Sequence, residues 1–244
     1  QLKQAAGIFR SVSDNVICLQ AKLDFYNGTT NILTKLMNLE YAVWFEFLLP
    51  AVDLLNLPIP LGGNSNHFRT HELRMVGLWD PYNVTEDAEL GIRIALNGYK
   101  TLMMDSYTLE ESPATIKVWF NQRSRWIKGF IQTILVFCKQ EIKPNFRVTL
   151  FIYVFYGLST YSFFISPYIY YLCCMDTPLP AFTGMAYLYF SFVLVLFRKV
   201  RYRRNILLSI LAILVSPIYF MLHSLAGYKA FIELIYKPRS EERR

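Results

Sequence analysis

The sequence predicts an α/β layer domain that runs into an amphipathic interface helix and then about three transmembrane helices. Three observations carry that expectation. Strand-like and helix-like segments alternate as far as Met104, the pattern of a layered α/β architecture. A single apolar stripe at three-and-four spacing occupies Ile116 to Cys138. Beyond it the chain is dominated by three apolar runs, Val148 to Cys174, Phe182 to Phe197 and Ile206 to Leu222. A span needs about 20 largely apolar residues, which the first run exceeds and the others nearly reach with their flanks. The expected division is therefore residues 1–113 as the α/β part, 114–145 as the interface helix and 146–244 as the membrane region with a basic tail.

Taken in order, Asn15 to Phe25 is β-branched and partly alternating, a strand that leaves through the turn signal Asn27-Gly28. Thr30 to Leu55 carries apolar and aromatic residues at mixed helical spacing and stops near Pro58 and Pro60. The segment Gly62-Gly63-Asn64-Ser65-Asn66-His67-Phe68-Arg69 is either a plain turn or a place where backbone approaches a ligand closely. Thr70 is placed to cap a short helix ending at Gly77, and Thr85 to cap another closed by Asn97-Gly98. Lys100 to Met104 reads as a strand, and Asp105 to Pro113 as a solvated connection. On the helix from Ile116, Lys117, Asn121, Gln122, Ser124, Arg125, Lys128 and Gln132 oppose the apolar stripe. A tryptophan-bearing amphipathic helix next to a hydrophobic run fits one lying along a membrane surface.

Charge bounds the partners. The net charge of +7 suits nucleic acid, an acidic substrate or an anionic membrane. Position selects the last, because Arg198, Lys199, Arg201, Arg203 and Arg204 lie between two apolar runs, where the positive-inside rule puts a cytoplasmic loop. No nucleic-acid partner is expected. Three full spans from a cytosolic domain would leave Lys229, Lys237, Arg239, Arg243 and Arg244 outside, so either one run does not cross or the tail runs against the rule. The four cysteines show no zinc or secreted-framework spacing. Because the chain opens on Gln1, it is read as part of a longer protein.

Two constellations carry candidate chemistry. Thr85-Glu86-Asp87 stands at a helix start, where acids also serve simply to complement the helix dipole. A carboxylate there could equally accept a proton from a substrate hydroxyl. Gln122, Arg125 and Trp126 project from one helix face, with Gly129 continuing the line. An amide, a guanidinium and an indole suit a sugar diphosphate, although an interfacial Trp beside a snorkelling Arg looks the same in sequence. His67 and His71 are four apart but lack a third ligand nearby.

Together with the glycine segment, these motifs resemble the membrane-integrated family 2 glycosyltransferases, the group of cellulose, hyaluronan and chitin synthases. Gln122-Arg123-Ser124-Arg125-Trp126 matches the family's Q-x-x-R-W signature and Thr85-Glu86-Asp87 its E-D signature. Gly62 to Arg69 resembles the loop that faces the acceptor, and Lys22 lies in the strand before it. The resemblance implies the second half of a GT-A type nucleotide-sugar transferase domain, on the cytosolic side of a bacterial inner (plasma) membrane. It implies Asp87 as catalytic base with Glu86 beside it, and Gly63, Asn64, Thr85, Gln122, Arg125 and Trp126 as substrate-binding residues. The partners it implies are a nucleotide diphosphate sugar, a glycan or lipid acceptor and membrane lipids, in inverting hexose transfer for polysaccharide synthesis. A divalent metal (Mg or Mn) is implied for the full enzyme. The family's D-x-D occurs nowhere in these 244 residues, so its ligands are expected outside them and the chain alone is expected to transfer no sugar. The alternative in another class is a non-catalytic membrane subunit or scaffold.

Overall fold

A computed structural model describes residues 1–139, 146–152, 192–197 and 205–236. Its centre is a small mixed sheet. Strand β1 (Val16–Phe25) lies between β2 (Asn66–Phe68), antiparallel to it, and β3 (Lys100–Glu110), parallel to it. Most of β1 is buried, as its apolar sequence requires of a central strand. Gln20 and Asp24 are polar exceptions, and Asp24 accepts from Asn38 Nδ2 at 2.7 Å.

Around the sheet run α1 (Leu2–Ser11), α2 (Ile32–Val43), α3 (Leu49–Leu54), α4 (Thr70–Met75) and α5 (Glu86–Leu96). The C-terminal helices are α6 (Ile116–Lys139), α7 (Phe146–Ile152) and α8 (Ile206–Tyr236), and residues 192–197 are also helical. Helix α1 carries no expectation from sequence; it covers the sheet by packing Ala5 among Val16, Leu19, Ala21 and Met104. The expected helix 30–55 is present, started by an Asn31 capping box with Thr34 and interrupted by a π-helical stretch, Trp44–Leu48. That stretch accounts for the mixed apolar spacing, since each π turn shifts the helix phase by about one residue.

Three expectations change. Thr70 is the first residue of α4 rather than its cap, a position taken by Arg69. The connection expected from Asp105 is instead strand as far as Glu110. Its polar side chains are used across the sheet: Lys22 Nζ lies 2.7 Å from Asp105 and 3.1 Å from Glu46, and the Tyr107 hydroxyl donates to Glu46. The third concerns the polar face expected on helix α6, which is packed on two sides. Ser124 and Lys128 of its supposed polar face are buried, and its other side meets α8.

Of the three expected spans, the first two lie mostly outside the described residues. Among the described residues one helix, α8, is long and apolar enough to cross a membrane, with 31 residues and a mean hydropathy of 2.2 in its most apolar window. It would measure about 46 Å, against a hydrocarbon core of about 30 Å. Its small and polar side, with Ser209, Ala212, Ser216, Ala226 and Ala230, is buried, while Leu207, Leu214, Ile218, Leu225 and Ile232 point outward. Lys229, expected in the basic tail, is inside α8 and donates to Asn121 of α6 at 2.7 Å.

Helix α5 packs so closely on the segment before the glycine loop that a Cβ at Gly91 would stand 2.1 Å from the Ile59 carbonyl oxygen. Gly91→Ala is expected to cost about 1–3 kcal/mol by overpacking. Gly7→Ala on α1, where a Cβ meets nothing, is expected to gain up to about 1 kcal/mol. Thermal unfolding of both variants in detergent checks the contrast.

Candidate active site

The glycine loop is held by a buried residue that the sequence reading passed over. Gln20 of β1 accepts from the Gly62 N–H at 2.8 Å and donates to the Asn64 carbonyl at 3.1 Å, so one amide secures both sides of the turn. Asn66 Nδ2 donates to the Gly62 carbonyl at 2.6 Å, and Asn64 donates its side chain to Glu110 at the end of β3. A glutamine within the apolar run Val16 to Ala21 was the signal available in sequence.

This loop lies against the N-terminus of α5. A Cβ at Gly63 would lie 3.3 Å from Asp87 Oδ2. The other oxygen, Oδ1, accepts from the Trp79 indole N–H at 2.9 Å. Burial pushes the Asp87 carboxyl up to about 6; the Trp79 hydrogen bond opposes that shift and the charge of Glu86 adds to it. A half-buried carboxylate titrating near neutrality is suited to take a proton from a hydroxyl. Thr85 stands at the helix N-cap without a side-chain capping bond; its N–H is satisfied by Asn83 Oδ1 at 3.0 Å.

Helix α6 meets this N-terminus directly. A Cβ at Gly129 would fall 2.4 Å from Thr85 Oγ1 and Cγ2, so only glycine admits the contact. On the next turn, Gln132 accepts from the Val84 N–H at 3.3 Å and Thr133 accepts from Asn83 at 3.1 Å. The face that bears Gln122, Arg125 and Trp126 is thus brought to Thr85 through Gly129. Arg125 is exposed, and Gln122 Oε1 is a buried acceptor without a hydrogen-bond partner among the described residues. The Arg123 guanidinium lies over the Trp126 ring, 4.6 Å from its centre, and the tilted Tyr41 ring is 6.4 Å from that centre.

Arg123, an unassigned position inside the motif, is buried and grips Glu40 of α2 with two bonds of 2.8 Å. Burial disfavours charge on Glu40, yet Arg123, His223 and the Tyr219 hydroxyl outweigh it and hold the carboxyl below its usual range. Tyr219 and His223 come from α8 and also pack on Trp119. The pair therefore joins α2, α6 and α8. Among the described residues no group of three or more His, Cys, Asp or Glu side chains, His67 and His71 included, is disposed to hold an ion.

Two expectations follow. Glu40→Ala strands the buried Arg123 charge and is expected to cost about 3–5 kcal/mol, read by thermal or denaturant unfolding. A carboxyl whose pKa rises on folding takes up a proton on folding, so Asp87 costs stability as pH climbs from about 4 to about 6. Discounted for partial exposure, Asp87→Asn should gain on the order of 1 kcal/mol at pH 8, a gain that disappears below about pH 4. Unfolding curves at the two pH values test it.

The sequence profile described as glycosyl transferase family group 2 matches residues 2–232. Among curated proteins, the chain is 29% identical over 149 residues to the probable glycosyltransferase YdaM of Bacillus subtilis (strain 168), covering 59% of this chain and 34% of that protein. It is 28% identical over 116 residues to the probable glucomannan 4-beta-mannosyltransferase 7 of Oryza sativa subsp. japonica, covering 47% and 20%. For the rice protein named probable glucomannan 4-beta-mannosyltransferase 9 the identity is 26% over 149 residues, covering 59% and 28%. The chain spans about a third or less of the length of these relatives.

Proposed function

This chain belongs to glycosyl transferase family group 2, and we propose that it supplies the acceptor side of an inverting hexosyl transfer from a nucleotide diphosphate sugar to a glycan or lipid. The observation that carries the reading is the convergence of three separate segments: the Gly63 loop on Asp87, and the Gly129 helix on Thr85.

In this reading Asp87 takes the proton of the acceptor hydroxyl as its oxygen attacks the anomeric carbon from the side opposite the diphosphate. The bond to the leaving nucleoside diphosphate breaks in the same displacement, so configuration inverts. Glu86 keeps the Asp87 carboxyl basic by opposing its ionisation. Trp126, braced by Arg123, offers a ring face to a pyranose, and the unpartnered Gln122 Oε1 accepts from a sugar hydroxyl. Arg125 supplies positive charge toward the diphosphate. Thr85 and Gly63 set the floor and the wall around Asp87, and Asn64 keeps the loop pinned to Glu110. A divalent ion, Mg or Mn, would offset the charge of the leaving diphosphate when bound, but the described residues do not form a site for one.

The outward apolar side of α8 supports an integral membrane protein, and we place this site on its cytosolic face, where it would make polysaccharide or glycolipid. Both rice relatives named above carry the name probable glucomannan 4-beta-mannosyltransferase, so mannose belongs with glucose among the hexoses to test first.

The decisive measurement is release of nucleoside diphosphate from GDP-mannose and UDP-glucose by membranes containing the full-length protein that carries these residues. Asp87→Asn is expected to reduce release by about 10³-fold or more while photolabelling by the donor is unchanged. Retained turnover in that variant removes Asp87 from the mechanism.

A further inference from the structure

The turn before α5 is built at conformational cost. Gly77 has φ +91° and Leu78 has φ +59°, a left-handed conformation that a branched-chain residue such as Leu rarely adopts. Two consecutive positive φ values reverse the chain and deliver the next residue, Trp79, over the N-terminus of α5. The turn is clamped from the same helix: Arg93 Nη1 donates to the Val76 carbonyl at 2.6 Å, and Arg93 is itself held by Glu89 through bonds of 2.6, 2.9 and 3.2 Å. Trp79 meets Phe68 of β2 edge to face, with ring centres 5.4 Å apart, and its N–H reaches Asp87 Oδ1. One helix therefore presents Asp87 at its first turn and, two turns later, grips the loop that sets Trp79 upon it.

We infer that Trp79 is a positioning residue for the proposed base: its indole N–H fixes the Asp87 carboxylate in one rotamer, leaving Oδ2 directed at the Gly63 loop to receive the acceptor proton. The strain at Leu78 fits this role, because strained backbone persists where the surrounding structure holds a functional geometry. A bond to an ionised acceptor is also stronger than one to a neutral group, so the indole favours the form of Asp87 that can accept a proton. Among the described residues, burial raises the Asp87 pKa most, the Trp79 hydrogen bond lowers it, and Glu86 on its own helix raises it further. The glycine loop brings a backbone without charge.

This inference rests on Asp87 being the base, and its test is separable from that reading. Trp79→Phe keeps the ring against Phe68 and removes only the donor. The acid limb of nucleoside diphosphate release, set by Asp87 near pH 6, is expected to move upward by about half a pH unit or more, while the rate on the alkaline plateau changes less. A loss of equal size at every pH, with the limb unmoved, overturns the inference and leaves Asp87 in place. A second measurement needs no turnover. In protein labelled with 15N-tryptophan, the indole resonance that disappears in Trp79→Phe should titrate with a midpoint near pH 6 in the parent and stay constant in Asp87→Asn. A Trp79 indole that does not sense pH, or that titrates unchanged in Asp87→Asn, overturns it as well.

Discussion

The distance between α5 and α6 is set at Gly129, and the candidate site exists because that distance is short. Thr85 occupies the volume that any side chain at position 129 would need. With the helices in van der Waals contact, the carboxylate at one N-terminus and the Gln-Arg-Trp face of the other helix belong to a single surface. Hydrogen bonds then fix the phase of the contact, because Gln132 and Thr133 reach the loop before α5 one turn further along. A bulkier residue would not merely loosen the packing; it would separate the base from the groups proposed to hold the sugar.

The second constraint is electrostatic. Arg123 is a charge withdrawn from water and Glu40 its partly buried partner, an arrangement whose desolvation cost is offset only by good geometry and hydrogen bonding. Here the fork-to-fork bonds, the Tyr219 hydroxyl and the ring of Trp126 supply most of those contacts, while Arg123 Nε is left without a hydrogen-bond partner among the described residues. The pair spans three helices, one of them the apolar α8, so the orientation of Trp126 is tied to the helix that would anchor the protein in a bilayer. Burial acts in the opposite sense at Asp87. There burial raises the carboxyl pKa and the charge of Glu86 adds to it, at a cost in stability that a purely structural acid at a helix start would not carry.

Much of this was legible in the residues. The apolar run at β1, the stop signal at Asn97-Gly98 and the stripe on α6 are local patterns, and each marks its element within a few residues. What misled were polar residues whose partners are distant in sequence. Asp105, Tyr107 and Thr108 look like a solvated connection because nothing nearby in the chain shows that Lys22, Glu46 and Ser65 await them across the sheet. Ser124 and Lys128 belong to the polar face of α6 in sequence yet are buried in the fold, which the helical pattern alone does not show.

The sequence by itself determined the residue types and their local phase: an acid pair at a helix start, an amide, guanidinium and indole on one helical face, and a pair of glycines between two ordered segments. Their periodicity follows from backbone geometry, which is the same in every protein. Only the tertiary structure decided that Trp79 completes the setting of Asp87, that Gln20 holds the glycine loop and that Arg123 serves packing while its neighbour Arg125 faces solvent. Those assignments depend on contacts between residues 8 to 83 positions apart, and no local propensity encodes which distant partner will arrive.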